Sequence, residues 1–318
     1  EKMFGKHKIT MNFIRLYDGL RVGFQEWGAQ HSQKVLAVHG WLDNSNSFRY
    51  LGPYLADRGF HVVAIDVIGH GHTDHLGVGA HYTIQKSASV AREVVECLGW
   101  SKSFFIGHSM GSSIGVMYTA AFNDKVNKLV LIDGFGPLVQ SSDAVAQSLR
   151  MAIDAELKFK SKSKPVKVYN TLKDAVEQRM LAVKDYPGQQ FLSRDAAATI
   201  VARAVRLVGT DSYDDVIDEN SGPVQFRHDK RLLLPSYNYN SKEQGLAYFD
   251  SLHTKTFLVR GESGWPPAVT IDFDQRAKIL EEKGLFEQKV LPGSHHLHLD
   301  PETRVGVAES IHDFMSRE

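Results

Sequence analysis

Apolar residues along this chain gather into short uninterrupted runs separated by helical patterns. Residues 35–38, 62–65, 104–106 and 129–132 are apolar at every position. Alternation vanishes when neither face of a strand meets water, so such runs predict a parallel sheet covered on both sides. Helical spacing over 47–55, 83–98 and 110–121 lies between them and predicts right-handed βαβ units. Upstream, residues 9–16 alternate weakly, Asp18-Gly19 supplies a hairpin turn, and 20–27 alternate again. That pattern predicts two antiparallel strands.

The pattern changes after Gly136-Pro137. From 138 to 250 there are no clear strand signals, only polar helix-like segments, a lysine cluster over 158–167, and loop signals at Pro187-Gly188 and Ser221-Gly222-Pro223. Strand signals return at 256–259 and 288–291, with helical stretches at 272–282 and 303–315. Two strands are too few for a second sheet. The chain therefore reads as one core, residues 1–137 and 251–318, interrupted by a helical cap over 138–250.

Composition narrows the function classes. A chain of 318 residues can bury a large core, and 42% hydrophobic with 23% charged residues is ordinary for a globular protein. Lys+Arg and Asp+Glu are both 37, a balance that points to neither nucleic acid nor an anionic membrane. The 15 histidines make the real charge pH-dependent below neutrality. No apolar run reaches the roughly 18 residues of a transmembrane helix. The first residues lack the apolar stretch of a secretory signal. Residue 1 is Glu rather than Met, so a removed leader stays open; the cytosol is the default expectation. The single cysteine, Cys97, excludes an intrachain disulfide. It falls on the apolar face of a predicted helix and is expected as a small core residue.

The most informative stretch is Gly107-His108-Ser109-Met110-Gly111, set between a buried strand and a helix. A strand that turns at once into a helix strains its corner residue. Side chains two positions to either side would collide, so both are glycine. The serine projects from the corner, near the first free N–H groups of the helix, where negative charge is favoured. A serine hydroxyl is a weak nucleophile. It needs a base within hydrogen-bond reach, and that base needs a third group to orient it. In this architecture the order is serine, acid, histidine, with the histidine after the last strand.

At that place the sequence is Gly293-Ser294-His295-His296-Leu297-His298. His295 directly follows the turn and is the expected base. His296 and His298 are expected to be solvated or to pack. A His-x-His metal site finds no supporting Cys or acidic pattern nearby. The acid is Asp133, at the end of the strand beside the serine strand, or Glu262, after the strand at 256–259. Asp133 is preferred, because ligand sites in open parallel sheets lie at the carboxyl edge. The oxyanion donors are expected to be the N–H groups of Met110 and Trp41, the latter in the loop His39-Gly40-Trp41-Leu42-Asp43, where Gly40 permits close approach. His39 and the loop over 66–73 are expected as hydrogen-bonding support. Trp41 and His108 are expected to wall the substrate pocket.

With these residues assembled, the chain resembles the α/β-hydrolase fold superfamily over nearly its whole length, and it is similar to the serine hydrolase-like branch. The branch features are Leu131-Ile132-Asp133-Gly134-Phe135-Gly136-Pro137, Phe226-Arg227-His228-Asp229-Lys230-Arg231-Leu232 and the His295-His296-Leu297-His298 cluster. The resemblance implies an α/β fold: an eight-stranded, mostly parallel sheet with helices on both faces and a helical lid after the sixth strand. It implies Ser109 as nucleophile and His295 as base. Related haloalkane dehalogenases and epoxide hydrolases use an Asp nucleophile, and Ser109 argues against both chemistries. Some relatives carry the acid after the sixth strand, where Asp133 stands. The commoner esterase pattern would put it at position 264, which is Gly264 here.

The expected activity is cofactor-independent, metal-free hydrolysis of an ester, thioester or similar small-molecule acyl compound, with neither nucleic acid nor a membrane span involved. Hydrolysis of a carbon–carbon bond by the same triad is an alternative. A non-catalytic small-ligand receptor on the same scaffold is another.

Overall fold

The apolar runs become the central strands of one sheet. The computed structural model describes residues 12–162, 165–188, 190–210, 217–218 and 220–317. Its first part runs β1 (Asn12–Arg15), β2 (Arg21–Trp27), β3 (Gln33–Val38), α1 (Leu51–Ala56), β4 (Phe60–Ile65), α2 (Ile84–Cys97), β5 (Ser103–His108), α3 (Met110–Ala121) and β6 (Val126–Ile132). An inserted segment follows, with α4 (Val145–Ser161), α5 (Leu172–Ala182), α6 (Arg194–Ala204), β7 (Val205–Leu207), β8 (Val224–Phe226) and α7 (Lys242–Asp250). The chain then returns through β9 (Thr256–Ser263), α8 (Phe273–Glu282), β10 (Phe286–Ser294) and α9 (Arg304–Ser316).

The eight-stranded sheet has the order β1-β2-β4-β3-β5-β6-β9-β10. β2 pairs antiparallel with β1 and β4, and all later pairs are parallel. This is the expected α/β architecture. Residues 9–11, the start of the first alternating stretch, lie outside the described residues. Leu36, Val63, Phe105, Leu129 and Leu131 pack towards α2 and α3. Their neighbours Val35, Val62, Phe104, Ile106, Val130 and Ile132 pack towards α1 and α9. Burial on both faces is why these strands show no alternation.

Three expectations are corrected. The helix predicted over 47–55 divides into a 3-10 turn, Ser45–Phe48, and α1. Pro53 is the third residue of α1, where its missing N–H is harmless; inside a continuous helix it would clash with the preceding turn. The strandless reading of 138–250 misses β7 and β8, which pair antiparallel. Three residues are too few to show a period. Cys97 is exposed, not core. It is the last residue of α2, past the buried Val94 and Val95, and its thiol lies 3.9 Å from the Arg15 carbonyl oxygen.

The inserted segment buries a cluster of its own, Tyr169, Ala175, Val176, Ala196, Ile200, Val201 and Val224, which also takes in Leu299 from the stretch before α9. The chain leaves β6 under restraint: the buried Arg276 guanidinium donates to the carbonyls of Phe135 at 2.6 Å and Pro137 at 3.0 Å. Among the described residues no helix is long and apolar enough to cross a membrane.

Candidate active site

β5 runs straight into α3, and Ser109 is the corner residue, with φ 52° and ψ −114°. A Cβ on Gly107 would stand 2.3 Å from the Gly111 carbonyl oxygen, and one on Gly111 would stand 2.0 Å from that of Val38. Neither position admits a side chain. The Ser109 N–H donates to the Ile132 carbonyl at 3.0 Å, which ties the corner to the end of β6. Positive φ at a non-glycine residue is costly and persists only where the surroundings enforce it.

His295 follows β10 and reaches the serine from the far end of the chain. Its Nε2 is 2.8 Å from Ser109 Oγ, and its Nδ1 is 2.6 Å from Asp133 Oδ2. Asp133, the residue after β6, also accepts the N–H of Gly261 at 2.9 Å and that of Trp265 at 2.7 Å. A carboxylate can only accept here, so Nδ1 carries the imidazole proton and Nε2 turns its lone pair to the serine. Burial lowers the His295 pKa, and the Asp133 hydrogen bond offsets this only in part. The ring is therefore neutral, and able to accept a proton, at neutral pH. Of the two candidate acids, the structure brings Asp133 to the histidine; Glu262 is exposed near the end of β9.

Gly40 and Trp41 follow β3. A Cβ on Gly40 would stand 3.1 Å from Ser109 Cβ, so this peptide passes directly against the serine. His39 sets its direction. The Val67 N–H donates to His39 Nε2 at 2.9 Å, which leaves Nδ1–H to donate to the Gly40 carbonyl at 2.7 Å. In a trans peptide the Trp41 N–H points opposite that carbonyl. Met110 opens α3, where an N–H has no carbonyl one turn back. The Trp41 indole is 39% exposed and donates to the Leu232 carbonyl at 3.0 Å, so it bridges to the inserted segment instead of packing in the core.

His108 does not face a pocket. It is completely buried behind Ser109, donating Nε2–H to the His295 carbonyl at 2.9 Å, because the residue before the corner points back into the sheet. His296 and His298 are buried as well, which removes the solvated reading for both. His108 and His296 meet Asp43, whose Oδ2 is 3.4 Å from His108 Nδ1 and 3.2 Å from His296 Nε2. Asp43 Oδ1 takes Arg179 of α5 at 2.5 Å. Burial alone would raise the Asp43 carboxyl, but His296 and the Arg179 guanidinium hold it well below the ordinary range. Asp43, His108 and His296 bring three potential metal ligands within 4.8 Å. A dication there would join the guanidinium in a site that offers a single carboxylate, so the cluster suits an ion pair better than a metal. This cluster is not evident from the sequence pattern. The signal was an Asp two residues beyond the expected oxyanion donor.

The 66–73 loop gives the expected support. Asp66 accepts the N–H of Ser45 at 2.7 Å and of His72 at 2.8 Å, and it receives Arg203 of α6 at 2.8 Å. The 226–232 motif fastens the inserted segment to the next loop: Tyr82 donates to Asp229 at 2.8 Å, and Arg231 donates to the Gly77 carbonyl at 2.8 Å.

Comparison with known proteins adds family evidence to this geometry. A model of the α/β hydrolase fold matches residues 34–162. A serine hydrolase-like protein of Dictyostelium discoideum is 29% identical over 315 residues, covering 96% of this chain and 81% of that protein. The serine hydrolase-like protein of Homo sapiens is 34% identical over 171 residues, covering 52% of this chain and 82% of that protein. A solved structure of a hypothetical protein from Pseudomonas aeruginosa is 33% identical, with a TM-score of 0.81, and covers 98% of this chain and 100% of that one.

Proposed function

The chain belongs to the α/β-hydrolase fold family, in its serine hydrolase-like branch, and from that premise we propose that it cleaves an ester, thioester or related acyl bond through Ser109, His295 and Asp133. The observation that carries the reading is the unbroken relay from Ser109 Oγ through His295 to Asp133, at 2.8 and 2.6 Å, mounted on a corner closed to side chains on both sides.

In the forward reaction His295 Nε2 takes the serine proton as Oγ bonds to the carbonyl carbon. The former carbonyl oxygen becomes an oxyanion, held by the N–H groups of Trp41 and Met110. His295 returns the proton to the leaving group as its bond to carbon breaks, and the acyl group stays on Ser109. Water then adds to the acyl-enzyme, again losing a proton to His295, and free acid and serine are released. Residues 138–250 act as a cap that selects the acyl group. The rings of Trp265 and, from the cap, Tyr186 stand 5.5 and 6.2 Å from that of His295, which favours an apolar acyl group.

A panel of p-nitrophenyl esters and thioesters tests this reading. The wild-type chain should turn over at least one class, and Ser109→Ala should fall to the uncatalysed background with an unchanged circular dichroism spectrum. Turnover that survives Ser109→Ala overturns it.

A further inference from the structure

One buried carboxylate stands beside three of the groups the proposed reaction uses, Trp41, Ser109 and His295. Asp43 lies two residues after Trp41. Its Oδ2 contacts His108, which immediately precedes Ser109, and His296, which immediately follows His295. Ser47 Oγ lies 3.4 Å from the same oxygen and 3.3 Å from His298 Nε2. The other oxygen, Oδ1, receives the Arg179 guanidinium from α5, and both partners of that pair are buried. Arg179 Nη1 also stands 3.5 Å from the Tyr186 hydroxyl, and Tyr186 faces the His295 ring.

The backbone between Trp41 and Asp43 needs such a restraint. Leu42 has φ 58°, and the bend closes with the Asp43 N–H donating to the Gly40 carbonyl at 3.2 Å. A strained bend holds its shape only while its surroundings enforce it. The Asp43 side chain is the anchor at its far end. A Cβ on Gly40 would stand 3.2 Å from Asp43 Oδ2, so the carboxylate lies directly beneath the peptide that carries the Trp41 N–H.

We propose that Asp43 is a positioning residue, latched by Arg179, that keeps the Gly40–Trp41 peptide aligned with Ser109 and His295 while the inserted segment is seated. The proposal rests on the serine-hydrolase reading above. It makes the inserted segment part of the oxyanion machinery at a distance: lifting α5 withdraws the only guanidinium recorded on Asp43 among the described residues, and the bend relaxes. The oxyanion is absent from the bound ground state and develops only as Oγ adds to the carbonyl, so a loosened donor lowers kcat and leaves KM nearly unchanged.

The test compares Arg179→Met, Asp43→Asn, the double variant Asp43→Asn/Arg179→Met and the conservative Arg179→Lys, each followed by Tm and by kcat and KM on p-nitrophenyl butyrate. Each neutralising single variant leaves an unpaired buried group, and its Tm should drop. The double variant removes both charges and should recover Tm, yet kcat should stay about 10²-fold down, the scale set by a small misplacement of a catalytic group. Arg179→Lys should recover part of kcat. A double variant that recovers kcat together with Tm shows a purely structural pair and overturns the latch. A wild-type chain inert to every ester and to serine-directed probes overturns the underlying reading, and the latch with it.

Discussion

A Cβ on residue 264 would lie 2.2 Å from Oδ1 of Asp133: the glycine after β9 is the space that the carboxylate from the end of β6 occupies. The two places where an acid could stand therefore exclude each other. Gly264→Ala should push Asp133 off His295 and lower kcat by about 10²-fold, the cost expected of a misplacement near 1 Å. Gly264→Asp in an Asp133→Gly background should regain part of the activity lost by Asp133→Gly alone. Steady-state kinetics on one ester checks both, and a fully active Gly264→Ala contradicts the packing argument.

Asp133→Asn and Glu262→Gln should separate cleanly. Loss of the carboxylate that fixes the imidazole tautomer costs on the order of 10⁴-fold in kcat. Glu262 is exposed, and its substitution should leave kcat within about twofold of wild type, as is usual for surface changes away from the site. A large loss in Glu262→Gln, with Asp133→Asn active, would move the acid to Glu262.

The pH profile should carry the environment of His295. A buried histidine is harder to protonate, and its Asp133 bond offsets only part of that. The base must be neutral to act, so activity falls as pH drops through this depressed value. The acidic limb of kcat/KM should therefore lie below the ordinary histidine pKa of about 6.5. A limb at or above neutrality contradicts the assignment.

Stability should fall on mild acidification. Burial pushes the pKa values of His70, His72 and His296 down to about 3. Below pH 6.5 the unfolded chain takes up protons at these rings and the folded chain does not, so the stability they contribute is complete above that pH and is lost as pH falls towards 3. At pH 5.5 each ring costs about 1.4 kcal/mol, and three together approach the lower end of a typical folding free energy. Tm measured from pH 7.5 to 5 should decline steeply across this window. A flat profile would mean that these rings are not buried as neutral groups.

What the sequence made legible is what backbone geometry dictates locally. Gly107 and Gly111 are forced by atoms within a few residues or on the adjacent strand, so the corner is recognisable from the sequence alone. The buried strands announced themselves because both faces are covered. His295 could be chosen over His296 and His298 from its place after the turn. Asp133 could be preferred to Glu262, but Gly264 read as an absent acid, and only the fold shows it as room for Asp133. Arg179 was invisible: nothing in its own helix says that one cation among many is buried against an aspartate 136 positions away. His108 was misplaced for the same reason, since its direction depends on the sheet behind it. β7 and β8 are too short to leave a period.

The most direct test of the central claim is intact-mass analysis after treatment with a fluorophosphonate, followed by peptide mapping. The account predicts one adduct per chain, on Ser109, abolished in Ser109→Ala and slowed by orders of magnitude in His295→Ala. A folded wild-type chain that takes no adduct, or takes it at another residue, contradicts it.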